Sequence, residues 1–170
     1  HSGFRGEFER VGTDLVRDLV ERGSTLGEKP LILTGHSQGG AIAAIAAAAL
    51  PLMGVGVSET FTFAAPRPGD WSFSESLGPQ KIWRMEYGND IVPHLPLRPE
   101  VIKSEAATWA LDFCPVGQLV YGRPDNATVI VTDSAAITAE TRRARLLANP
   151  SEWIEHHHLP HYLRMLEALP

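Results

Sequence analysis

Apolar residues recur at steps of three and four along the first part of the chain, while polar residues fill the positions between them. The stripe consists of Phe8, Val11, Leu15 and Leu19, widened by Val16 and Val20. This period is that of an amphipathic helix, predicted over residues 7–22. Gly23 and Ser24 follow the last periodic residue and are predicted to end the helix.

The pattern then changes to short apolar runs that predict strands. Residues 30–34 form a continuous apolar run typical of a strand buried on both faces, and the Ala- and Gly-rich helix that follows can approach a sheet closely. Further strands are predicted at residues 60–65, 81–87, 118–121 and 128–132. Alternating strands and helices indicate an α/β fold with a mostly parallel sheet, and residues 134–153 and 160–169 are predicted to be helical.

The longest apolar stretch, residues 41–57, is the only candidate for a membrane span. It is shorter than the roughly 20 residues that a spanning helix needs. It is also mostly alanine and contains Pro51, Gly54 and Gly56. We therefore interpret it as a buried helix followed by a loop and predict no membrane span.

Composition indicates one soluble globular domain, taken here as residues 1–170. The chain has 170 residues, of which 44% are hydrophobic and 21% are charged. Its formal net charge is -5, and no basic block is present, which argues against nucleic acid as a partner. The single cysteine, Cys114, cannot form an internal disulfide, so both a secreted and a cytoplasmic location remain open.

Residues 35–39, Gly-His-Ser-Gln-Gly, match the G-x-S-x-G pattern of a nucleophile elbow. A predicted strand enters the motif and a small-residue helix leaves it, which is the context that the pattern requires. Gly35 and Gly39 are expected to be glycines because a sharp turn leaves no room for side chains two residues either side of Ser37. The backbone N–H of Gln38 is expected to hold the oxyanion of a tetrahedral intermediate.

An elbow of this type requires an acid and then a histidine later in the chain. Asp90 follows the predicted strand 81–87 and is the preferred acid. Glu86 belongs to the strand itself and Asp70 to an earlier turn, while Asp112 and Asp133 lack a matching loop.

Four histidines compete for the third position: His156, His157, His158 and His161. Since Pro160 marks the start of the last helix, His158 lies just ahead of it and is preferred, with His157 as the alternative. At least two of the others are expected to be solvated. Adjacent loop histidines rarely converge on one ion, so no metal site is predicted, and His36 and His94 are interpreted as structural hydrogen-bonding residues.

These residues together resemble the class-three lipases, fungal-type α/β-hydrolases that act on acylglycerols. The resemblance runs nearly end to end, and its specific parts are the elbow and the Asn-Asp-Ile-Val-Pro segment. The similar segments are HSGF at 1–4, LILTGHSQGGA at 31–41, FTFAAPRPG at 61–69, RMEYGNDIVPHLP at 84–96, VGQLV at 116–120 and HLPHYL at 158–163.

The resemblance implies an α/β-hydrolase fold and a catalytic triad of Ser37, Asp90 and His158, with no metal or organic cofactor. In the family, strands and a helix precede the His-Ser-Gly-Phe segment with which this chain begins. We therefore expect the chain to be the C-terminal catalytic part of one domain, without its N-terminal strands, its lid and a second oxyanion donor.

The predicted function is that of a serine carboxylester hydrolase, specifically an acylglycerol lipase. A lipid or another acyl ester is the expected substrate, with transient contact to a lipid interface; the oligomeric state is left open. Two alternatives remain. One is a different acyl-ester enzyme, namely a phospholipase, a feruloyl-type esterase or an acyltransferase. The other is a noncatalytic lipid- or protein-binding module that kept the elbow.

Overall fold

A mixed sheet with helices on both faces forms the fold of the protein, which we describe from a computed structural model covering residues 2–26, 29–78, 80–96, 113–124, 129–131 and 148–168. The strands are β1 (Ile32–His36), β2 (Glu59–Phe63), β3 (Ile82–Tyr87), β4 (Gln118–Gly122) and β5 (Val129–Val131). The helices are α1 (Ser2–Leu26), α2 (Gln38–Leu52), α3 (Trp71–Ser76), α4 (Glu152–Glu155) and α5 (Leu159–Glu167), and a 3₁₀ turn covers Val92–His94.

The described strands lie in the order β1-β2-β3-β4-β5, which is also their order along the chain. The first four are parallel, and β5 runs antiparallel to β4. Parallel pairing brings the carboxyl ends of β1 and β3 to the same edge of the sheet. This edge therefore carries the segments that follow each strand, and ligand sites of open α/β sheets form at such edges.

Each face of the sheet has its own apolar core. On one face Ala44 and Ala47 of α2 pack with Leu77 and Ile82. On the other, a cluster that includes Met85 and Val120 packs against α5 through Tyr162 and Met165. Trp83, next to Ile82 in β3, joins this second cluster, as expected for side chains that alternate along a strand. The alternation places α2 and α5 on opposite faces.

Helix α1 lies on α2, but its packed face differs from the predicted stripe. Phe8 and Val16 contact the cluster around Ala46 and Leu50. Val11, Leu15 and Val20 are exposed, so the prediction that they belong to the buried stripe was wrong. The helix also continues to Leu26, past the predicted stop at Gly23 and Ser24.

Strand β1 begins and ends two residues later than predicted and is not buried on both faces. It is the first strand in the order of the described sheet, and the side chain of Ile32 is 51% exposed. An apolar run alone does not distinguish a central strand from one at this position.

Strands β3 and β4 agree with their predicted bounds to within one residue. Residues 134–147 of the predicted helix 134–153 lie outside the described residues.

The stretch 41–57 forms most of α2 and the loop that follows it, as predicted. Among the residues that the structure describes, no helix is long and apolar enough to cross a membrane.

Candidate active site

Ser37 lies at a sharp turn between β1 and α2. Its backbone has φ 56° and ψ -128°, a left-handed conformation that is strained for a residue with a side chain. Two backbone hydrogen bonds hold the turn: Ser37 N–H donates to Phe63 O of β2 at 2.8 Å, and Ser37 O accepts from Gly40 N–H at 2.9 Å. Strain of this kind is tolerated where the surrounding structure fixes it, and here it presents the serine hydroxyl at the edge of the sheet.

Close packing at this turn requires Gly35. A Cβ atom on Gly35 would lie 2.2 Å from Gly39 O and 2.7 Å from Gly40 N, both backbone atoms that cannot move aside. The expected absence of room at Gly35 is therefore confirmed.

The same expectation was wrong for Gly39, because a Cβ there meets nothing within 4 Å. Gly40 has the tight contact instead, since its Cβ would lie 2.7 Å from the Cβ of Ala65. The physical reason is the direction in which each residue faces: Gly39 is exposed at the start of α2, while Gly40 faces β2.

Asp90 follows β3 by three residues and is only 2% exposed. Its Oδ1 accepts from Val92 N–H at 2.8 Å, and its Oδ2 accepts from the Tyr162 hydroxyl at 2.6 Å. Two of the rejected acids have other partners: Asp70 caps α3 by accepting from Phe73 N–H, and Glu86 pairs with Arg84 within β3. The other two, Asp112 and Asp133, lie outside the described residues. Among the candidate acids that the structure describes, Asp90 is thus the carboxylate at the edge of the sheet that carries Ser37.

His157 lies between Asp90 and Ser37. Its Nδ1 is 3.0 Å from Asp90 Oδ2 and 3.2 Å from Oδ1, and its Nε2 is 2.9 Å from Ser37 Oγ. A carboxylate can only accept, so Nδ1 carries the hydrogen toward Asp90 and Nε2 is left to accept the hydrogen of the Ser37 hydroxyl. Serine, histidine and aspartate therefore form one continuous chain of hydrogen bonds.

His158, the histidine preferred from the sequence, does not take part in the hydrogen bonds that link Ser37 and Asp90. His158 is exposed and occupies the N-cap position of α5, with extended backbone at φ -70° and ψ 135°. It lies just ahead of α5, as predicted, but only three residues separate the end of α4 from the start of α5. In so short a connection each residue points in a different direction, and it is the alternative, His157, that faces Ser37.

The neighbouring histidines are less solvated than expected. His156 is buried, and its Nδ1 accepts from Asn89 N–H at 2.9 Å. His161 Nε2 lies 2.6 Å from the Glu155 carboxylate, a hydrogen bond that lowers the pKa of Glu155. Of the three, only His158 is exposed, so the expectation of at least two solvated histidines was wrong.

Tyr162 is a residue of the site that sequence reasoning missed. Its side chain is fully buried under the sheet, where its hydroxyl accepts from Tyr87 N–H at 3.2 Å and donates to Asp90. Burial, with the negative charge of Asp90 beside it, raises the pKa of Tyr162 well above its ordinary range. A tyrosine in the first turns of the last helix was the available signal, but it predicts packing as readily as contact with a carboxylate.

His36, the residue before Ser37, was interpreted as a structural hydrogen-bonding residue, and this is confirmed. Its Nε2 lies 2.9 Å from the backbone carbonyl oxygen of His157. Across the described part of the chain, no group of three or more His, Cys, Asp or Glu side chains is arranged to hold a metal ion.

The parallel sheet, the strained serine between strand and helix, and the carboxylate and histidine that follow in chain order define an α/β-hydrolase fold. The chain belongs to the class 3 lipases: the family description, Lipase (class 3), matches residues 1–100.

The curated relatives are lipases, some of which are described as secreted mono- and diacylglycerol lipases. The secreted mono- and diacylglycerol lipase A of Penicillium camembertii is 31% identical over 96 residues, which are 56% of this chain and 32% of the relative. A lipase of Rhizopus oryzae is 34% identical over 103 residues, which are 56% of this chain and 26% of the relative. The chain thus spans about a third or less of the length of these relatives.

Solved lipase structures resemble this protein over a larger part of its chain than the curated relatives do. A propeptide complex of Rhizomucor miehei lipase superposes with a TM-score of 0.70 at 27% identity, covering 92% of this chain and 48% of that one. A triacylglycerol lipase described as having a serine protease triad as its catalytic centre superposes with a TM-score of 0.64 at 26% identity, covering 82% of this chain and 52% of that one.

Proposed function

We propose that the protein is a serine carboxylester hydrolase acting on acylglycerols, with Ser37 as nucleophile, His157 as general base and acid, and Asp90 as the carboxylate that orients the histidine. The observation that carries this proposal is the hydrogen-bond chain from Ser37 Oγ through His157 to Asp90, with donor–acceptor distances of 2.9 and 3.0 Å. Family membership supports the same reaction class.

In the acylation step, Ser37 Oγ attacks the ester carbonyl carbon while its proton moves to His157 Nε2. The imidazolium that forms is stabilised by Asp90 across the Nδ1 hydrogen bond. When the tetrahedral intermediate collapses, the bond to the alcohol oxygen breaks, and His157 gives its proton to that oxygen. The products of this half-reaction are a free alcohol and an acyl-Ser37 ester.

The oxyanion of the tetrahedral intermediate requires donors close to Ser37. Gln38 is the first residue of α2, so its backbone N–H has no acceptor one turn earlier in the helix and stays available. The positive end of the helix dipole at this point favours negative charge as well. We therefore assign the Gln38 N–H to the oxyanion hole, as one of its donors.

Deacylation repeats the sequence with water in place of the alcohol. His157 takes a proton from water, the resulting hydroxide adds to the acyl carbon, and the bond to Ser37 Oγ breaks as Oγ regains its proton. The release of a carboxylic acid completes one hydrolysis. A second alcohol in place of water would give acyl transfer, so the ratio of transfer to hydrolysis separates a lipase from an acyltransferase.

Covalent labelling of the full-length protein with an alkyl phosphonate that mimics the tetrahedral intermediate tests this proposal. Peptide mass spectrometry is expected to locate the adduct on Ser37 and to find none in Ser37→Ala. His157→Ala and His158→Ala form a matched pair, because they delete neighbouring imidazoles in the same turn. We expect His157→Ala to slow labelling and ester hydrolysis at least about a thousandfold. His158→Ala should retain both within about threefold, as expected of an exposed substitution.

The contrary outcomes are distinct. If His158→Ala loses activity and His157→Ala retains it, the assignment of the histidine is wrong while the hydrolase proposal stands. If folded wild-type protein neither labels nor hydrolyses acylglycerols, the chemistry itself is refuted, and a noncatalytic binding module becomes the better description.

A further inference from the structure

His36 and Ser37 are neighbours in the chain, and both contact His157. Ser37 Oγ lies 2.9 Å from the Nε2 atom of the His157 ring, and His36 Nε2 lies 2.9 Å from the backbone oxygen of the same residue. A backbone carbonyl can only accept, so His36 donates this hydrogen bond. At the end of β1, Ser37 therefore contacts the side chain of His157, and His36 contacts its backbone.

This contact completes the hydrogen bonding of His157. Its backbone N–H donates to Ile154 O in α4 at 3.2 Å, its carbonyl accepts from His36, and its two ring nitrogens contact Asp90 and Ser37. The segment that carries it, residues 156–158, is the short connection between α4 and α5. The same peptide unit is held at its other end by His158 N–H, which donates to Glu155 O at 3.2 Å. Without a donor on the carbonyl, this peptide loses its link to β1, and the imidazole can shift relative to Ser37 Oγ.

The ring of His36 also contributes packing at the same place. Its centroid lies 4.9 Å from that of the His157 ring with an interplanar angle of 36°, and 5.9 Å from the ring of Tyr162, whose hydroxyl donates to Asp90. His36 thus touches both residues that flank the Asp90 carboxylate.

Resting on the proposed function, we infer that His36 is a positioning residue for acylation: its Nε2–H holds the His157 carbonyl so that the imidazole is kept at hydrogen-bonding distance from Ser37 Oγ. His36 neither accepts the Ser37 proton nor contacts the acyl group in this assignment. Its loss should therefore lower the rate of the chemical step and leave substrate binding unchanged.

Two amide substitutions in the full-length protein distinguish this role from a general structural one. In His36→Gln the side-chain NH₂ extends about as far as Nε2 and can still donate to the carbonyl. In His36→Asn the NH₂ is one methylene shorter and cannot reach it. We expect His36→Asn to lower kcat on a soluble short-chain ester about 10- to 100-fold with KM within about twofold, because small misplacements of reacting groups cost this much. His36→Gln should recover most of the rate.

The rate of phosphonate labelling at Ser37 provides a second measurement, since it reports acylation chemistry without turnover. The labelling rate should change in parallel with kcat in both His36 variants. His158→Asn is the control: His158 is exposed and lies next to His157 in the chain, so this variant should retain full activity. Thermal unfolding monitors folding, so a variant with lost structure is recognised before its rate is interpreted.

Each result has one meaning. Equal losses in His36→Gln and His36→Asn, or an unchanged kcat in folded His36→Asn, would overturn the positioning role while the wild type continues to hydrolyse esters. A rise in KM at constant kcat would move His36 to substrate binding and overturn the role as well. A wild type that does not label at Ser37 refutes the proposed function, and the inference with it.

Discussion

Asp90 holds its place at the site through donors from three different parts of the chain. Val92 N–H, the Tyr162 hydroxyl and the ring of His157 all contact its carboxylate, at 2.8, 2.6 and 3.0 Å. The donors come from the turn after β3, from α5 and from the turn between α4 and α5. A buried carboxylate with this many donors has a fixed orientation, and the imidazole that it holds is fixed in turn.

Removal of the Tyr162 hydroxyl tests that arrangement at the scale of one residue. Tyr162→Phe keeps the ring but deletes the donor to Asp90 and the acceptor of Tyr87 N–H. Hydrogen bonds to charged groups contribute about 1.5–3 kcal/mol, so the free energy of unfolding at neutral pH should fall by about that amount. We expect kcat/KM to fall about tenfold because Asp90 keeps its other donors.

Urea unfolding and ester kinetics on the same preparations measure both quantities. A variant as stable as the wild type would mean that the hydroxyl contributes nothing to the folded state. Full loss of activity in a stable variant would mean that Tyr162 acts in the chemistry rather than through Asp90.

At the scale of elements, the elbow depends on how closely β1, α2 and β2 approach one another. The small side chains at the start of α2 allow this approach, and Gly40 faces Ala65 just after β2. The positions within the glycine-rich motif are not equivalent, since Gly39 has open space and Gly35 has none.

Alanine substitutions at these glycines should change the free energy of unfolding in opposite directions. Gly39→Ala is expected to raise the free energy of unfolding by up to about 1 kcal/mol, because alanine favours helix over glycine and no atom obstructs its methyl group. Gly40→Ala should lower it by about 1–3 kcal/mol through overpacking against Ala65.

Gly35→Ala should be the most destabilising of the three, because its methyl group would meet backbone atoms of α2. Chemical denaturation of the three variants measures this order. Equal costs at Gly39 and Gly40 would contradict the packing described for the start of α2.

At the scale of the whole molecule, the sequence predicted the architecture and most of the site. The order of strands and helices indicated a parallel sheet, and the elbow motif with Asp90 three residues after a strand identified two of the three proposed catalytic residues. Both rest on local patterns, namely hydrophobic period and turn chemistry.

What the sequence did not predict depends on tertiary placement. Choosing between His157 and His158 requires the direction of each side chain in a short turn, which no periodicity encodes. The exposure of β1 follows from its position in the sheet, and the contacts of His36 and Tyr162 join segments more than 70 residues apart. Such contacts leave no local pattern in the chain.

Global stability at alkaline pH should depend on Tyr162. Its pKa in the folded state is raised above the ordinary value of about 10 that it regains on unfolding. The stability linked to this shift is therefore fully present below about pH 10 and is lost as the pH rises through the folded-state pKa, because the unfolded chain releases the proton first. Over that range the wild-type free energy of unfolding should fall with pH more steeply than that of Tyr162→Phe, by up to about 1.4 kcal/mol per pH unit.

Urea unfolding at a series of pH values between about 9 and 12 measures the two slopes, and the absorbance of tyrosinate identifies the group that ionises. Tyr87→Phe is the matched control, since burial raises the pKa of Tyr87 too, but its side chain is only partly buried and Arg164 opposes the shift. Its effect should therefore cover a narrower pH range. Parallel curves for the wild type and Tyr162→Phe would mean that Tyr162 ionises as readily in the folded protein as in the unfolded one. In that case the Tyr162 hydroxyl would lose its proton within the same pH range in the folded protein, and it could no longer donate its hydrogen bond to Asp90 there.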